Sequence, residues 1–334
     1  MTPPGSAVGA PLASMLLMAF RQQDSVAEAI AGALAQTYAP LEIVISDDAS
    51  PDGTWDAIQG AVAGYVGPHR LVLSRNPRNL GIGAHLSRLV ALSHGELLFI
   101  TAGDDVSLPE RCECCVAAWL QSGKALDLIA APLIDVDAQG RTHGTVRPDD
   151  LSLWRGAADW AARRPFIVGA AQAFTRRLFE HIGPLPEGTV AEDLILVFRA
   201  IGSGGAATHD TPLVRYRRGG QSQRRRALHA AEVRERLLRN ARHALVELPQ
   251  LLADADVAGV RAAVAAELES QLARERHVAA QLSADADAAG RWRRLLGDRA
   301  VPLATRLRVF VYAACPALLA PGFALTRAWA GQRR

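Results

Sequence analysis

The chain carries two pairs of adjacent aspartates, each placed just after a short apolar run. The first pair, Asp47 and Asp48, follows the run Leu41–Ile45 and precedes turn-forming residues. A carboxylate at the end of a buried parallel strand can accept hydrogen bonds from a nucleobase N–H or a ribose hydroxyl. Local turn chemistry is the alternative, since Asp and Ser are favoured in turns for purely local reasons. Asp47 and Asp48 are therefore candidate nucleotide-binding residues.

The second pair, Asp104 and Asp105, follows the run Leu97–Thr101. Two adjacent ionised carboxylates repel each other. A divalent cation held between them and a diphosphate relieves that cost, and an all-oxygen ligand set favours Mg²⁺ or Mn²⁺ over zinc. The alternative is that the pair caps the following helix and interacts with its dipole. The pattern predicts a metal site if both aspartate pairs lie at one edge of a sheet.

Two later segments supply a candidate base and a candidate cation. Asp193 follows Glu192 at the start of an amphipathic helical pattern, where a carboxylate could take a proton from a hydroxyl group or simply stabilise the helix start. Arg217 lies in the segment Tyr216–Ser222, which also contains two glycines, and offers a guanidinium group suited to phosphate.

The glycine-rich segment does not indicate a dinucleotide site. Gly81 and Gly83 match only the first half of that fingerprint, because Leu86 stands where the third glycine belongs. The chain also contains no G-x-x-x-x-G-K-[ST] loop and no G-x-S-x-G elbow. These observations argue against NAD binding and against the common ATPase and hydrolase classes.

The candidate residues need a scaffold that brings strand ends together. Up to about Asp210, apolar runs alternate with amphipathic stretches, as in the strand–helix–strand units of a parallel sheet. Ser25 is expected to cap the first helix, with Glu28 three residues on. We therefore predict a doubly wound α/β fold. The expected strands are Ser14–Phe20, Leu41–Ile45, Leu71–Leu73 and Leu97–Thr101.

The composition changes after Ser222 to Ala, Leu, Arg and Glu with helical spacing. This predicts a domain over residues 1–222 and a helical region over 223–334, with breaks at Pro249, Gly290 and Pro302. Residues 309–325 carry no charge but are too short and too rich in proline for a membrane span. Arginines flank the run, so two interpretations stay open: membrane-surface contact through 302–334, or a helical hairpin packed on the catalytic domain or on a second subunit.

Composition excludes several classes of protein. A chain of 334 residues with 49% hydrophobic and 21% charged residues is a folded protein. A net charge of +3 provides no global field for nucleic acid.

Three of the four cysteines lie within Cys112–Cys115, which fits neither a disulfide framework nor zinc spacing and predicts reduced thiols in a helical core. The apolar start Val8–Phe20 lacks preceding basic residues and a cleavage site, which predicts a cytoplasmic protein.

Taken in order, these segments resemble a bacterial family 2 glycosyltransferase with the GT-A fold, of the type that acts in cell-surface polysaccharide synthesis. The resemblance covers about Ser14 to Ser222. Its most specific stretches are Ala33–Ser50, Asn79–Gly83 continuing to Asp104-Asp105, and Gly169 to Asp193.

The resemblance implies an inverting transfer of one sugar from a nucleotide diphosphate sugar to a hydroxyl of a glycan or lipid-linked acceptor. A single transfer is expected because no Q-x-x-R-W element follows Asp193. By position, the resemblance assigns donor binding to Asp47, Asp48, Gly81, Asp104, Asp105 and Arg217, Mg²⁺ or Mn²⁺ binding to Asp104 and Asp105, and base catalysis to Asp193.

The chain departs from the family pattern at Ala102, where relatives often carry an acid, and at Gly219, where they often carry His. A catalytically silent scaffold that binds a nucleotide sugar therefore stays an alternative. A nucleotidyltransferase that activates sugar phosphates is a second one, although such enzymes usually have a basic glycine-rich loop where this chain has Met18–Gln22.

Overall fold

The structure is a computed structural model that describes residues 9–217 and 229–315. The chain divides into two compact units. One comprises Met1–Gln223 together with Asp254–Ala263, and the other comprises Arg224–Ala253 together with Val264–Arg334. The boundary expected after residue 222 falls at the edge of the first unit, but that unit also includes a segment from the helical C-terminal region.

Within the described residues, the first unit contains a seven-stranded sheet in the order β10-β6-β9-β4-β1-β2-β3 and a four-stranded sheet in the order β5-β11-β7-β8. The strands are β1 Ala13–Ala19, β2 Leu41–Asp47, β3 Arg70–Arg75, β4 Leu97–Ala102, β5 Val106–Ser107, β6 Leu128–Ala130, β7 Leu133–Val136, β8 Thr142–Val146, β9 Ala173–Thr175, β10 Ala206–Thr208 and β11 Val214–Arg217. All pairs in the larger sheet are parallel except those made by β9.

The predicted α/β fold with a mostly parallel sheet is confirmed. The four expected strands correspond to β1 to β4, and the central ones are buried along nearly their whole length. Strands covered on both faces read as continuous apolar runs, which is why the sequence revealed them. The smaller sheet was not predicted, because its strands are two to five residues long and carry no clear alternation.

Helices of the first unit cover the sheet. They are α1 Val26–Leu34, α2 Thr54–Val62, α3 Ile82–Leu92, α4 Arg111–Gln121, α5 Ala157–Ala162, α6 Arg176–Ile182 and α7 Glu192–Ser203. Ser25 is the N-cap residue of α1, as expected, but its side chain makes no capping bond, and Oγ instead donates to the carbonyl of Gly103 at 2.9 Å. Cys112 and Cys115 lie on α4 in the core with free thiols, as predicted.

The second unit is helical in its described part, as expected. Its helices are α8 Ala230–Val257, which ends in the first unit, α9 Arg261–Leu282, α10 Ala288–Gly297 and α11 Leu303–Ala314. The expected breaks at Pro249 and Gly290 are wrong, since both lie inside helices. Leu248, Leu251 and Leu252 are buried on both sides of Pro249, and their packing outweighs the helix hydrogen bond that proline removes.

Pro302 does begin a new helix, as its N-cap. Among the described residues, no helix combines the length and hydropathy needed to cross a bilayer. Of the uncharged run 309–325, residues 316–325 lie outside the described part of the chain.

Candidate active site

The second aspartate pair lies at the corner where the chain leaves β4 and enters β5 of the other sheet. The backbone N–H of Gly103 donates to the carbonyl of Met18 at 2.9 Å, and the Ser25 hydroxyl binds the carbonyl of Gly103. A Cβ at position 103 would lie 2.5 Å from Oε1 of Gln22. The close packing of Gly103 against β1 and α1 therefore fixes where Asp104 begins.

Asp105 is hydrogen-bonded to β11, the strand next to β5 in the smaller sheet. The backbone N–H of Arg217, the last residue of β11, donates to Oδ1 of Asp105 at 2.9 Å, across 112 positions of sequence. The Arg217 guanidinium pairs with Glu28 of α1. Arg217 therefore reaches the aspartates through its backbone, while its side chain binds the helix that starts beside them.

Burial dominates the electrostatics of this pair. The pKa of Asp105 is raised to about 7, because burial and the neighbouring Asp104 charge raise it by more than Arg217 and Arg111 lower it. Burial also raises the pKa of Asp104, against the effect of Arg217. Two carboxylates with raised pKa values are an electrostatically unfavourable arrangement that a bound cation stabilises.

Arg111 of α4 stabilises the corner between β4 and β5. Its side chain is buried, and its guanidinium donates to the carbonyl of Ile100 at 2.7 Å, to the carbonyl of Gln172 at 3.2 Å and to the Ser107 hydroxyl at 2.9 Å. These bonds tie β4 and β5 on either side of the aspartates. Sequence reasoning missed Arg111, which reads as an ordinary helix-start residue.

The first aspartate pair ends β2. Asp47 is fully buried and accepts hydrogen bonds from the backbone N–H of Ser50, while its Oδ2 lies 3.0 Å from Nε of Arg75. Asp48 accepts from the side chain of Asn76 at 2.7 Å and from the N–H of Gly81 at 2.9 Å. In this structure the pair organises the turn after β2 and the loop that leads into α3.

Gly81 begins α3 with a φ of +77°, which favours glycine. One turn later, the buried imidazole of His85 lies near both aspartates, and its Nε2 has no hydrogen-bond partner within the described part of the chain. Burial lowers the pKa of His85, while the charges of Asp48 and Asp47 raise it. His85 is a second residue that sequence reasoning missed, because a lone histidine in an apolar helical pattern carries no signal.

Asp193 lies at the start of α7, as predicted, and packs against Gly169. A Cβ at position 169 would lie 3.0 Å from Cβ and 3.4 Å from Oδ2 of Asp193. Gly169 begins a 3₁₀ turn whose next residue, Gln172, accepts a hydrogen bond from the N–H of Ile100 near the end of β4. Asp193 is therefore held on the side of β4 that lies away from β2.

These contacts bring all the acidic candidates to the carboxyl edge of one sheet. Strands β2 and β4 flank β1 in the sheet, so their ends are about 10 Å apart. Among the described residues, no group of three acidic, histidine or cysteine side chains converges on one point. The two carboxylates of Asp104 and Asp105 nevertheless fit Mg²⁺ or Mn²⁺, which commonly take other ligands from water and substrate phosphates.

Trp154 and Trp160 are core residues. Trp154 is buried and its Nε1 donates to the carbonyl of Arg163 at 2.7 Å, and Trp160 packs on Phe198 with ring centroids 4.7 Å apart. The segment that begins at Gly219 lies outside the described residues.

A mostly parallel sheet with one antiparallel strand, whose carboxyl edge carries the two aspartate pairs, defines an α/β protein of the GT-A class. The sequence profile described as Glycosyl transferase family 2 matches residues 14–183, half of the chain. The chain belongs to that family.

Two curated relatives match shorter stretches. EpsE of Bacillus subtilis (strain 168), provisionally named a glycosyltransferase, is 28% identical over 138 residues, which are 41% of this chain and 49% of EpsE. The succinoglycan biosynthesis protein ExoU of Rhizobium meliloti (strain 1021) is 33% identical over 134 residues, 40% of this chain and 36% of ExoU. The matched region thus spans at most about half the length of these relatives.

Two solved structures share the fold. Residues 1–349 of TarS from S. aureus, in complex with UDP-GlcNAc, superpose with a TM-score of 0.53 at 16% identity over 89% of each chain. The mannosyltransferase PcManGT of Pyrobaculum calidifontis, in complex with GDP-Man and Mn²⁺, gives a TM-score of 0.51 at 18% identity over 93% of this chain and 87% of its own.

Proposed function

We propose that this protein is an inverting glycosyltransferase that moves a single sugar from a nucleotide diphosphate sugar to a hydroxyl of a glycan or lipid-linked acceptor, in cell-surface polysaccharide synthesis. The observation that carries the proposal is the placement of Asp48, Asp104 and Asp193 along one sheet edge by three separate elements. Membership of family 2 and the polysaccharide role named for ExoU support the reaction class and its setting.

The proposed donor site runs from β2 to β4. Asp47 and Asp48 shape the turn and the Gly81 loop against which the nucleotide would bind, and Arg217 holds Asp105 in place. The solved relatives that hold UDP-GlcNAc and GDP-Man support a nucleotide sugar as donor.

Asp104 and Asp105 would hold the divalent ion, Mg²⁺ or Mn²⁺. When bound, the ion neutralises charge that develops on the leaving diphosphate. Asp104 is the more accessible of the two, whereas Asp105 is buried and already accepts a hydrogen bond from Arg217. The Mn²⁺ in the PcManGT complex supports this choice of ion.

Asp193 is the proposed general base. Asp193 lies on the side of β4 away from the turn after β2, against which the nucleotide would bind. This position suits a base that takes the proton of the acceptor hydroxyl while its oxygen attacks the sugar on the face opposite the leaving diphosphate. Gly169 leaves space directly beside its carboxylate, and a larger residue there would displace it.

The proposed setting is the cytoplasm, at the inner face of the membrane, with contact through residues 302–334. A nucleotide sugar and a lipid-linked acceptor meet at that surface.

Hydrolysis of a panel of nucleotide sugars, with and without Mn²⁺, tests the function. We expect slow release of free nucleoside diphosphate from one donor, dependent on the metal and faster with acceptor. Asp104→Asn should lose this activity, while Asp56→Asn, an exposed change on α2, should retain it. Release of pyrophosphate from a sugar phosphate and a nucleoside triphosphate would identify a nucleotidyltransferase, and silence with every donor would identify a scaffold.

A further inference from the structure

The second unit ends, in its described part, in a helical hairpin made of α10 and α11. Nη1 of Arg306 donates to the carbonyl of Leu295, and the rings of Trp292 and Phe310 lie 4.7 Å apart. From the first contact to the second, the position on α10 decreases from 295 to 292 while the position on α11 increases from 306 to 310. The two helices are therefore antiparallel. The two contacts fix which faces of the helices lie side by side.

The inner face of this hairpin is built into the unit. Val309 and Ala313 of α11 pack with Ala241 and Leu282 in one buried cluster. On α10, the guanidinium of Arg294 donates to Oε1 of Gln281 at 3.0 Å. The deletion of residues 302–334 would therefore open this core, and only point substitutions can probe the outer face.

The outer face is apolar and exposed. Trp292 and Leu296, one turn apart on α10, are 53% and 71% exposed, and Leu303 and Leu307, one turn apart on α11, are 55% and 47% exposed. Leu303 and Leu307 lie on the stripe of α11 that continues to Phe310, which contacts Trp292. The four side chains therefore form one surface across both helices, which we call the outer stripe.

Arginines outnumber acidic residues in the hairpin. Residues 288–315 contain six arginines, at positions 291, 293, 294, 299, 306 and 308, and one acidic residue, Asp298. Arg294 and Arg306 donate hydrogen bonds within the unit. Asp298 is already paired with His277, its Oδ2 2.7 Å from Nδ1. Arg293 and Arg299 are exposed, one beside Trp292 and the other in the turn between the helices. The surface thus combines apolar side chains with an excess of positive charge.

We propose that the outer stripe binds the surface of an anionic lipid bilayer, with the hairpin lying in the plane of the membrane. Interfacial helices have this combination of Trp and Leu on one side with arginines beside them, and tryptophan favours the boundary between headgroups and acyl chains. An apolar protein partner would explain the exposed leucines but not the charge excess. The inference extends the proposed membrane contact from residues 302–334 to α10, which carries Trp292 and Leu296, and it does not require transferase activity.

The test is co-sedimentation of the full chain with phosphatidylcholine vesicles that contain 30% phosphatidylglycerol or none. We expect binding to the anionic vesicles that weakens in high salt. The double variant Leu296→Gln/Leu307→Gln should lower the partition coefficient at least roughly tenfold, since each leucine loses its burial in lipid. Arg293→Gln/Arg299→Gln should lower it about 25-fold, roughly fivefold per arginine.

Matched controls are Leu120→Gln/Leu153→Gln and Arg88→Gln/Arg155→Gln, exposed positions of the first unit. They should bind vesicles like the unchanged chain. Thermal unfolding should show that all variants fold, and turnover on a soluble acceptor should match in every variant.

Three results would overturn the inference. The first is that the unchanged chain does not bind anionic vesicles. The second is that the outer-stripe variants bind as well as the controls. The third is that light scattering shows a dimer, which dissociates only in the leucine variant. The last result would identify a second copy of the chain as the occupant. None of the three results contradicts the proposed transferase activity, because donor hydrolysis is measured separately.

Discussion

Arg199 of α7 and Asp254 of α8 form a two-point ion pair that is closed to solvent. Nε of Arg199 lies 2.8 Å from Oδ2 of Asp254, one Nη lies 3.1 Å from Oδ1, and the side chains are 0% and 1% exposed. The other Nη donates to the carbonyl of Gly183 at 2.7 Å. The helix that begins with the candidate base is thereby locked to a segment 55 residues further along the chain.

Loss of Asp254 should strongly destabilise the protein. Asp254→Ala leaves the Arg199 guanidinium buried without its carboxylate, which costs about 3–5 kcal/mol in comparable buried pairs. Urea unfolding followed by circular dichroism measures the difference. The control is Asp256→Ala, two residues on, where the pair with Arg261 is about half exposed and should contribute less than about 1 kcal/mol. Equal effects of the two substitutions would contradict this interpretation.

Asp193→Asn should separate binding from chemistry. The amide is nearly the same size but cannot accept the acceptor proton, so kcat should fall by about 10²–10⁴. Donor affinity, measured by calorimetry with the nucleoside diphosphate, should stay within a factor of about two. A parallel loss of donor affinity would instead place Asp193 in the donor site.

Gly169→Ala tests the position of Asp193 without altering its charge. The new Cβ would press on Cβ and Oδ2 of Asp193 and shift the carboxylate by a few tenths of an ångström. Small displacements of a catalytic group are costly, and we expect kcat to fall about tenfold at unchanged donor KM. Gly60→Ala is the matched control, because a Cβ on that residue of α2 meets open space. An unchanged kcat in Gly169→Ala would show that the carboxylate need not be held there.

Asp104→Asn should be at least as stable as the unchanged chain although it is inactive. Burial raises the pKa of Asp104 and the Asp104 charge raises the pKa of Asp105, so removing that charge relieves a repulsion in the metal-free protein. Urea unfolding in the presence of a chelator measures this effect. A clear loss of stability would mean that Asp104 is a structural residue rather than a metal ligand.

We expect Glu42 to make the free energy of unfolding depend on pH at acidic pH. Burial alone would raise the pKa of Glu42, but hydrogen bonds from Ser14 and from His94 outweigh it and lower the pKa below 4.5. The stabilisation that ionised Glu42 contributes is complete above about pH 4.5. It is lost as the pH falls through the pKa of Glu42 in the folded protein, because the unfolded chain takes up the proton at a higher pH than the folded chain does. Glu42→Gln should make the free energy of unfolding less dependent on pH below 4.5, whereas Glu180→Gln, on an exposed side chain, should not.

The sequence by itself determined four strands of the larger sheet, β1 to β4, and the position of most acidic candidates. Strands β1, β2 and β4 are buried on both faces, so each is a continuous apolar run, and the aspartates that follow mark where each run ends. Because the carboxyl ends of parallel strands share one edge, the order of runs and acids was enough to predict a common site.

Only the tertiary structure decided how these residues are held. The bond from Arg217 to Asp105 spans 112 positions and the pair of Arg199 with Asp254 spans 55, while Gly169 packs against Asp193. Local patterns report burial and turn chemistry within a few residues of themselves. Long-range contacts between short strands and single buried side chains leave no such periodic trace, so the partner of each residue emerges only when the chain is folded.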